Sequence, residues 1–188
     1  NTLVLFTSYK TMFETADKLG DLQEKGYTFC IQEPSLNSNE LITKYKKSTR
    51  SVLFGNVALW SGIDIKGSKL SNLVITKLPF HNVDEYTKAY SEYLEEKGES
   101  PFYKYMLPEM LDRFKQGLGR LKRDAADKGL IWLLDPKIST ASYRAYVIDK
   151  LPVMKWKVLK SPKEIPEPEP IRKWLGISES LIDENEPF

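Results

Sequence analysis

The 188-residue sequence contains a single cysteine, Cys30, and a single histidine, His81. One cysteine excludes an internal disulfide and any metal or iron–sulfur centre built from several cysteines of this chain. One histidine argues against a histidine-rich metal site and against a catalytic triad with a histidine to spare. Because Cys30 stands between Phe29 and Ile31, the sequence predicts a thiol buried in a core.

The chain also lacks a strong charge and a long apolar run. Its 28 Lys and Arg nearly balance 26 Asp and Glu, for a formal net charge of +2. Bulk charge therefore does not indicate nucleic-acid binding, although local basic clusters occur at 44–50 and 115–123. No apolar run approaches the roughly 18 residues of a membrane span. Because no signal peptide is visible either, we expect a cytoplasmic protein.

Short apolar runs alternate with amphipathic segments along the first 150 residues. Strands alternating with helices predict an α/β fold, a parallel sheet with helices on both faces. Ligands of such sheets bind beyond the carboxyl ends of the strands. Thr7 and Ser8 follow the first strand, where they predict a hydroxyl cap for the first helix. The patterns predict strands at 3–6, 27–31, 51–54, 73–76 and 130–134, and helices at 11–25, 37–47, 83–96, 108–126 and 143–151.

The composition changes near Ser161, where prolines begin to alternate with glutamates. This alternation is typical of an extended, acidic strap that cannot form a core by itself. We therefore expect a domain at 1–160 and a proline- and acid-rich tail at 161–188.

The segment Q-G-L-G-R-L-K-R that begins at Gln116 carries the strongest chemical signal. On a helix, Gln116, Arg120 and Arg123 are spaced by four and three residues and share one face. Two guanidinium groups on that face suit a polyphosphate at a site where negative charge develops. The alternative is a solvated helix face, on which Asp124 and Asp127 pair with the two arginines at i+4.

A second candidate lies in the sequence W-S-G-I-D, residues 60–64. Asp64 stands between two isoleucines, and a partly buried carboxylate needs donors from backbone amides or from a ligand's hydroxyls. The alternative is an aspartate that caps a turn. Trp60 is either a core residue or a platform on which a base stacks.

Together, three segments resemble the second motor domain of superfamily 2 helicases of the DinG/XPD type, and DinG more closely. The resemblance covers about residues 3–152 and implies a RecA-like parallel sheet. Helicase motif IV is similar to residues 3–12, motif V to residues 60–64 with Gly67, and motif VI to residues 116–123 with Asp127 and Gly129.

The resemblance implies that ATP binds between this domain and a first motor domain. Arg120 and Arg123 are then arginine fingers, and Gln116 positions the nucleotide or the attacking water. The remaining implied contacts are Gly62, Asp64 and Gly119 with the nucleotide, and Thr7, Ser8, Trp60 and Ser61 with single-stranded DNA.

The resemblance also implies ATP and Mg²⁺ as cofactors shared with the first motor domain. The sequence has neither a G-x-x-x-x-G-K-[ST] phosphate loop nor a D-E-x-H-like metal motif. In this family both belong to the first motor domain, as do the cysteines of an iron–sulfur cluster where one is present. We therefore expect a C-terminal part of an ATP-dependent DNA helicase that does not hydrolyse ATP alone.

The alternative function is a degenerate, non-hydrolysing helicase-like domain that binds nucleic acid or docks a protein. Ser61 stands where the family usually has an acidic residue, and Lys137 stands where it has an arginine. These two departures favour the alternative. Arg120 and Arg123 favour the motor, because a scaffold needs neither.

Overall fold

The computed structural model describes residues 1–34, 38–56, 59, 70–121, 128–152, 155, 157–167, 169 and 171. Two compact units make up the chain, Asn1–Leu151 and Pro152–Phe188. In the second unit, a short 3₁₀ turn covers Pro162–Glu164. The first unit contains the sheet and the helices discussed below.

In the described part of the first unit, five parallel strands form one sheet with the order β2-β3-β1-β4-β5. The predicted α/β class is confirmed, and each predicted strand is present with its bounds shifted by at most one residue. The strands are β1 (Thr2–Leu5), β2 (Thr28–Ile31), β3 (Ser51–Gly55), β4 (Asn72–Ile75) and β5 (Leu130–Leu133).

Helices connect the strands. The predicted helix 11–25 is divided into two, and the second piece is followed by Gly26, whose φ of 82° ends it as predicted. A π-helical turn, Phe102–Met106, leads directly into α5. The helices are α1 (Tyr9–Lys18), α2 (Asp21–Glu24), α3 (Ser38–Lys47), α4 (Glu85–Glu96), α5 (Leu107–Leu118), α6 (Lys137–Thr140) and α7 (Arg144–Lys150).

The prediction of one helix over 108–126 is wrong at its C-terminal end. Helix α5 ends at Leu118, and Gly119 is its C-cap. Two tight turns follow, in which the Arg120 and Leu121 amides donate to the Gly117 and Leu118 carbonyls at 3.0 and 3.1 Å. Glycine is a poor helix former, which explains the early end. Arg120 therefore lies beyond the helix and does not share a helical face with Gln116.

The predicted hydroxyl cap of the first helix is wrong as well. Ser8 occupies the N-cap position of α1 with an extended backbone, but its side chain accepts no hydrogen bond from the helix. Helix α4, in contrast, has a side-chain cap, since the Thr87 amide donates to Asp84 Oδ1 at 2.8 Å.

The core covers both faces of the sheet, as a parallel sheet requires. One face carries Val4, Phe6, Phe29, Val52 and Phe54, which pack with Met12 and Ala16 of α1. Alternate residues of the same strands, such as Leu3, Leu5 and Leu53, are also fully buried. Cys30 is buried as predicted. Among the described residues, every helix falls short of the length and apolarity that crossing a membrane requires.

Candidate functional site

The strand register places the predicted loops at one edge of the sheet. Leu5 aligns with Gly55 and with Ile75, and Ile75 aligns with Leu133. The residues that follow these positions therefore lie together beyond the carboxyl ends of β1, β3, β4 and β5. We call this region the carboxyl edge. It is where parallel α/β sheets bind their ligands.

Thr7 and Ser8 lie at the carboxyl edge, directly after β1. Both are half-buried. Within the described part of the chain, neither hydroxyl has a hydrogen-bond partner. Because Ser8 is not used to cap α1, both hydroxyls are available to a ligand.

Asp135 joins the loops that follow β4 and β5. Its side chain is 5 % exposed. One carboxylate oxygen accepts from the Leu78 amide and the other from the Lys137 amide, each at 2.9 Å. Neither Asp135 nor this pair of hydrogen bonds, which we call the Asp135 clamp, was identified from the sequence. The available signal was a carboxylate directly after an apolar strand, which must find donors when buried.

An aromatic pocket of about 370 Å³ lies beside this clamp. The Phe80 and Phe102 ring centroids are 6.0 Å apart, and Tyr143 lies 5.9 and 5.3 Å from them. Burial, with a smaller contribution from Asp135, raises the pKa of Tyr143, so its phenol is neutral at physiological pH. The pocket is lined by Phe80, Phe102, Lys137, Thr140, Ala141 and Tyr143.

The motif VI residues occupy a different place. Gln116 is exposed in the last turn of α5, and Arg120 is half-buried and has an interaction partner in the chain. Leu121 is buried against Gly129, just before β5 begins. We call residues 117–121 the motif VI turn. This turn therefore lies near the amino end of β5. A four-residue strand, roughly 10 Å long, separates it from the carboxyl edge.

Glycine is required at some of these positions and not at others. A Cβ atom on Gly55 would lie 2.4 Å from Leu59 Cδ1 and 3.0 Å from Leu59 Cβ, so a larger residue here would require Leu59 to shift. A Cβ atom on Gly119 would lie 3.4 and 3.5 Å from the Lys115 and Gln116 carbonyl oxygens, which is ordinary contact. The packing of the described residues therefore does not explain Gly119.

Several predicted site residues lie outside the described residues. They are Trp60, Ser61, Gly62, Asp64 and Arg123. Their predicted roles stay predictions.

Residues 1–154 match a protein family described as "Helicase C-terminal domain". The chain belongs to this family.

The helicase domain is similar to curated DinG proteins. The 3'-5' exonuclease DinG of Bacillus subtilis is 36% identical over 153 residues, which cover 80% of this chain and 16% of that protein. The ATP-dependent DNA helicase DinG of Photobacterium profundum is 34% identical over 159 residues, 82% of this chain and 23% of that protein. The helicase domain thus spans about a sixth to a quarter of the length of these relatives.

Solved structures of XPD helicases share the fold. One of them superposes with a TM-score of 0.63 at 21% identity and covers 83% of this chain and 28% of its own. The domain is thus the C-terminal helicase domain of the DinG/XPD family, as the motifs indicated. The α/β sheet described above is the RecA-like sheet that the resemblance implied.

The described residues of the helicase domain do not assemble a metal site. Among them, no three His, Cys, Asp or Glu side chains come close enough to hold a metal ion. The buried carboxylate of Asp135 is already used by two backbone amides.

Proposed function

We propose that this chain is the second motor domain of an ATP-dependent DNA helicase. It completes an ATP site with Arg120 and Arg123 and holds single-stranded DNA at the carboxyl edge. The observation that carries the proposal is the pair of unbonded hydroxyls, Thr7 and Ser8, at the same sheet edge as the Lys137-rimmed aromatic pocket. Family membership supports the use of ATP and Mg²⁺ by the whole protein.

The strand-binding side follows from the chemistry of the carboxyl edge. Hydroxyls donate to phosphate oxygens, and an aromatic pocket holds a base by stacking. Lys137 forms no ion pair within the described part of the chain, so its ammonium is available to a phosphate. Strand β4 separates β1 from β5, so the carboxyl ends of β1 and β5 lie roughly 10 Å apart. That distance suits successive nucleotides of one strand.

The nucleotide side follows from the motif VI turn. Gln116 is exposed at the end of α5, and Arg120 lies in the two tight turns that follow the helix. A guanidinium in this place stabilises negative charge that develops on a transferred phosphoryl group. Gly119 fits the same assignment, since its missing side chain leaves room for a ligand rather than for a neighbour in the fold. Bound ATP would supply the free energy of hydrolysis, and the carboxylate ligands of Mg²⁺ would belong to the first motor domain.

The separation of these two regions suits a motor. The motif VI turn and the carboxyl edge are at opposite ends of β5, and α5 and the sheet connect them as rigid elements. A movement of the domain toward the nucleotide therefore moves the strand-binding edge with it. The alternative, a degenerate binding module, keeps the strand-binding edge but has no use for Gln116 and Arg120.

Fluorescence anisotropy with a labelled oligothymidylate of about 15 nucleotides tests the strand-binding side on the 188-residue chain. We expect weak binding that falls steeply with salt, because the contacts are to phosphates. Lys137→Gln lowers the affinity severalfold and reduces the salt dependence, whereas Lys163→Gln in the second unit changes neither. Equal affinities for the two variants would overturn the assignment of the strand to this edge.

A further inference from the structure

Helix α4 carries three tyrosines on one solvent-facing line. Tyr86, Tyr90 and Tyr93 are spaced by four and three residues, so they follow one another along the helix surface. We call them the tyrosine stripe. Tyr86 is 67 % exposed and Tyr93 is 47 % exposed. Neighbouring ring centroids are 6.1 and 6.0 Å apart, with planes within 10° and 19° of parallel.

The stripe is held in place by the rest of the fold. Tyr105, from the π-helical turn, packs edge-on against Tyr90 at 5.0 Å and against Tyr86 at 6.4 Å. Thr87 and Leu94 anchor the neighbouring face of α4 in the core. The exposed rings are therefore ordered before any partner arrives, which lowers the entropic cost of binding.

A row of carboxylates runs beside the stripe. Glu85, Glu92 and Glu96 are spaced by seven and four residues, so they too form a line along the helix. They directly precede Tyr86, Tyr93 and Lys97 in the sequence. The row therefore lies about 100° around the helix axis from the tyrosine stripe. All three are exposed, and in the described part of the chain none has a cationic partner. We call them the acidic row.

The stripe already holds one cation. Lys97 continues the line of the tyrosines, and its Nζ lies 4.4 Å from the centre of the Tyr93 ring. An ammonium or guanidinium above an aromatic face is attracted by the ring's quadrupole. The acidic row adds an attraction of the same sign, which Lys97 and Lys88 offset in part, since Lys88 lies one turn from both Glu85 and Glu92.

We propose that the tyrosine stripe and the acidic row bind an arginine-rich, helical segment of another protein. A guanidinium stacks flat on a tyrosine ring and also bonds a carboxylate through two parallel N–H groups. A helical segment repeats its side chains at the same spacing of three and four residues as the stripe. Nucleic acid is disfavoured here because its phosphates would meet Glu85, Glu92 and Glu96. The residues of the tyrosine stripe and the acidic row do not line the aromatic pocket.

The test uses a fluorescein-labelled, alanine-based helical peptide of about 15 residues with arginines in one stripe, and a matched peptide with glutamines instead. We expect the arginine peptide to bind the 188-residue chain and the glutamine peptide not to bind. The triple variant E85Q/E92Q/E96Q weakens binding roughly tenfold, since three exposed charge contacts are removed. Glu95→Gln is the matched control, because Glu95 is exposed and lies roughly 180° around the helix axis from the tyrosine stripe.

The rings are tested separately from the charges. Tyr93→Ala weakens the arginine peptide severalfold, and Tyr93→Phe restores most of the affinity because the ring face remains. If the triple variant has a lower melting temperature than the parent, the peptide affinity of the single variant Glu92→Gln is compared with that of Glu95→Gln instead.

Three results would overturn the proposal. One is an arginine peptide that fails to bind, or that binds equally well to the triple variant. Another is an oligothymidylate whose binding is lost in Tyr86→Ala, which would assign the stripe to a nucleic-acid strand. The third is a dimer of the chain in sedimentation that the triple variant breaks, which would assign the stripe to a second copy.

Discussion

Leu121 packs so tightly against Gly129 that a Cβ atom on Gly129 would lie 2.5 Å from Leu121 Cδ1. Atoms in folded proteins do not approach so closely, so any larger residue at Gly129 would require Leu121 to move. The contact joins the motif VI turn to the start of β5. The packing of Leu121 on Gly129 thus holds motif VI against the sheet.

Gly129→Ala should therefore destabilise the domain by about 1–3 kcal/mol, because Leu121 must move out of a filled core. Gly119→Ala, where the added methyl group meets only ordinary contacts, should leave the free energy of unfolding within about 0.5 kcal/mol of the parent. Urea unfolding of the two variants makes the comparison. Adding Leu121→Ala to Gly129→Ala should cost less than the sum of the single changes; strict additivity would show that the two residues do not compete for the same space.

Ser8 and Asp84 occupy the same position at the starts of α1 and α4, but only Asp84 makes the capping bond. Ser8→Ala should leave the melting temperature nearly unchanged and lower the affinity for oligothymidylate. Asp84→Ala should lower the melting temperature and spare that affinity. Hydrogen bonds from Thr87 lower the pKa of Asp84, so the cap's contribution is present above about pH 4 and is lost as the pH falls. A large loss of stability in Ser8→Ala would show that its hydroxyl belongs to the fold.

Asp135→Asn keeps the shape of the side chain but leaves only one good acceptor for the Leu78 and Lys137 amides. One buried amide then lacks a partner, which should cost about 1–3 kcal/mol. Thermal unfolding followed by circular dichroism measures the loss. Oligothymidylate affinity should fall as well, because the start of α6, which carries Lys137, is no longer fixed. Unchanged stability would mean that water or a neighbouring group replaces the carboxylate oxygen.

Tyr45 is fully buried, and its hydroxyl has no hydrogen-bond partner among the described residues. Tyr45→Phe should therefore stabilise the domain by about 1 kcal/mol, since no bond is lost and no polar group remains buried. Burial, aided by Cys30, raises the pKa of Tyr45. The folded state keeps the phenol neutral while the unfolded chain ionises it above about pH 10, so stability is lost as the pH rises beyond that value. Urea midpoints across alkaline pH should fall less steeply for the variant; a destabilised variant would reveal a hidden partner of the hydroxyl.

The strands could be predicted from the sequence because runs such as L-V-L-F report burial on both faces of a parallel sheet. The end of α5 was misplaced because the apolar periodicity of the sequence continues past Gly119, whereas the helix ends at Leu118. The π-helical turn has no sequence signature of its own, and its Phe102 is held by Phe80 and Tyr143 from distant segments.

The candidate site was predictable only in part, for a physical reason. Thr7 and Ser8 could be placed because they directly follow a strand. The Asp135 clamp and the aromatic pocket depend on β4 and β5 being neighbours, and strand order is not contained in local patterns. Residues far apart in the chain, such as Phe80 and Tyr143, meet only through that order.

The central claim is that Arg120 and Arg123 complete an ATP site shared by two motor domains. The most direct test is the single-turnover rate of ATP hydrolysis, with DNA present, in a longer protein that joins this chain to a first motor domain. We expect Arg120→Ala to lower that rate roughly 10³-fold with little change in affinity for single-stranded DNA, and Lys115→Ala, one turn earlier in α5, to leave it unchanged. Hydrolysis at the parental rate with both Arg120 and Arg123 replaced by alanine would contradict the account.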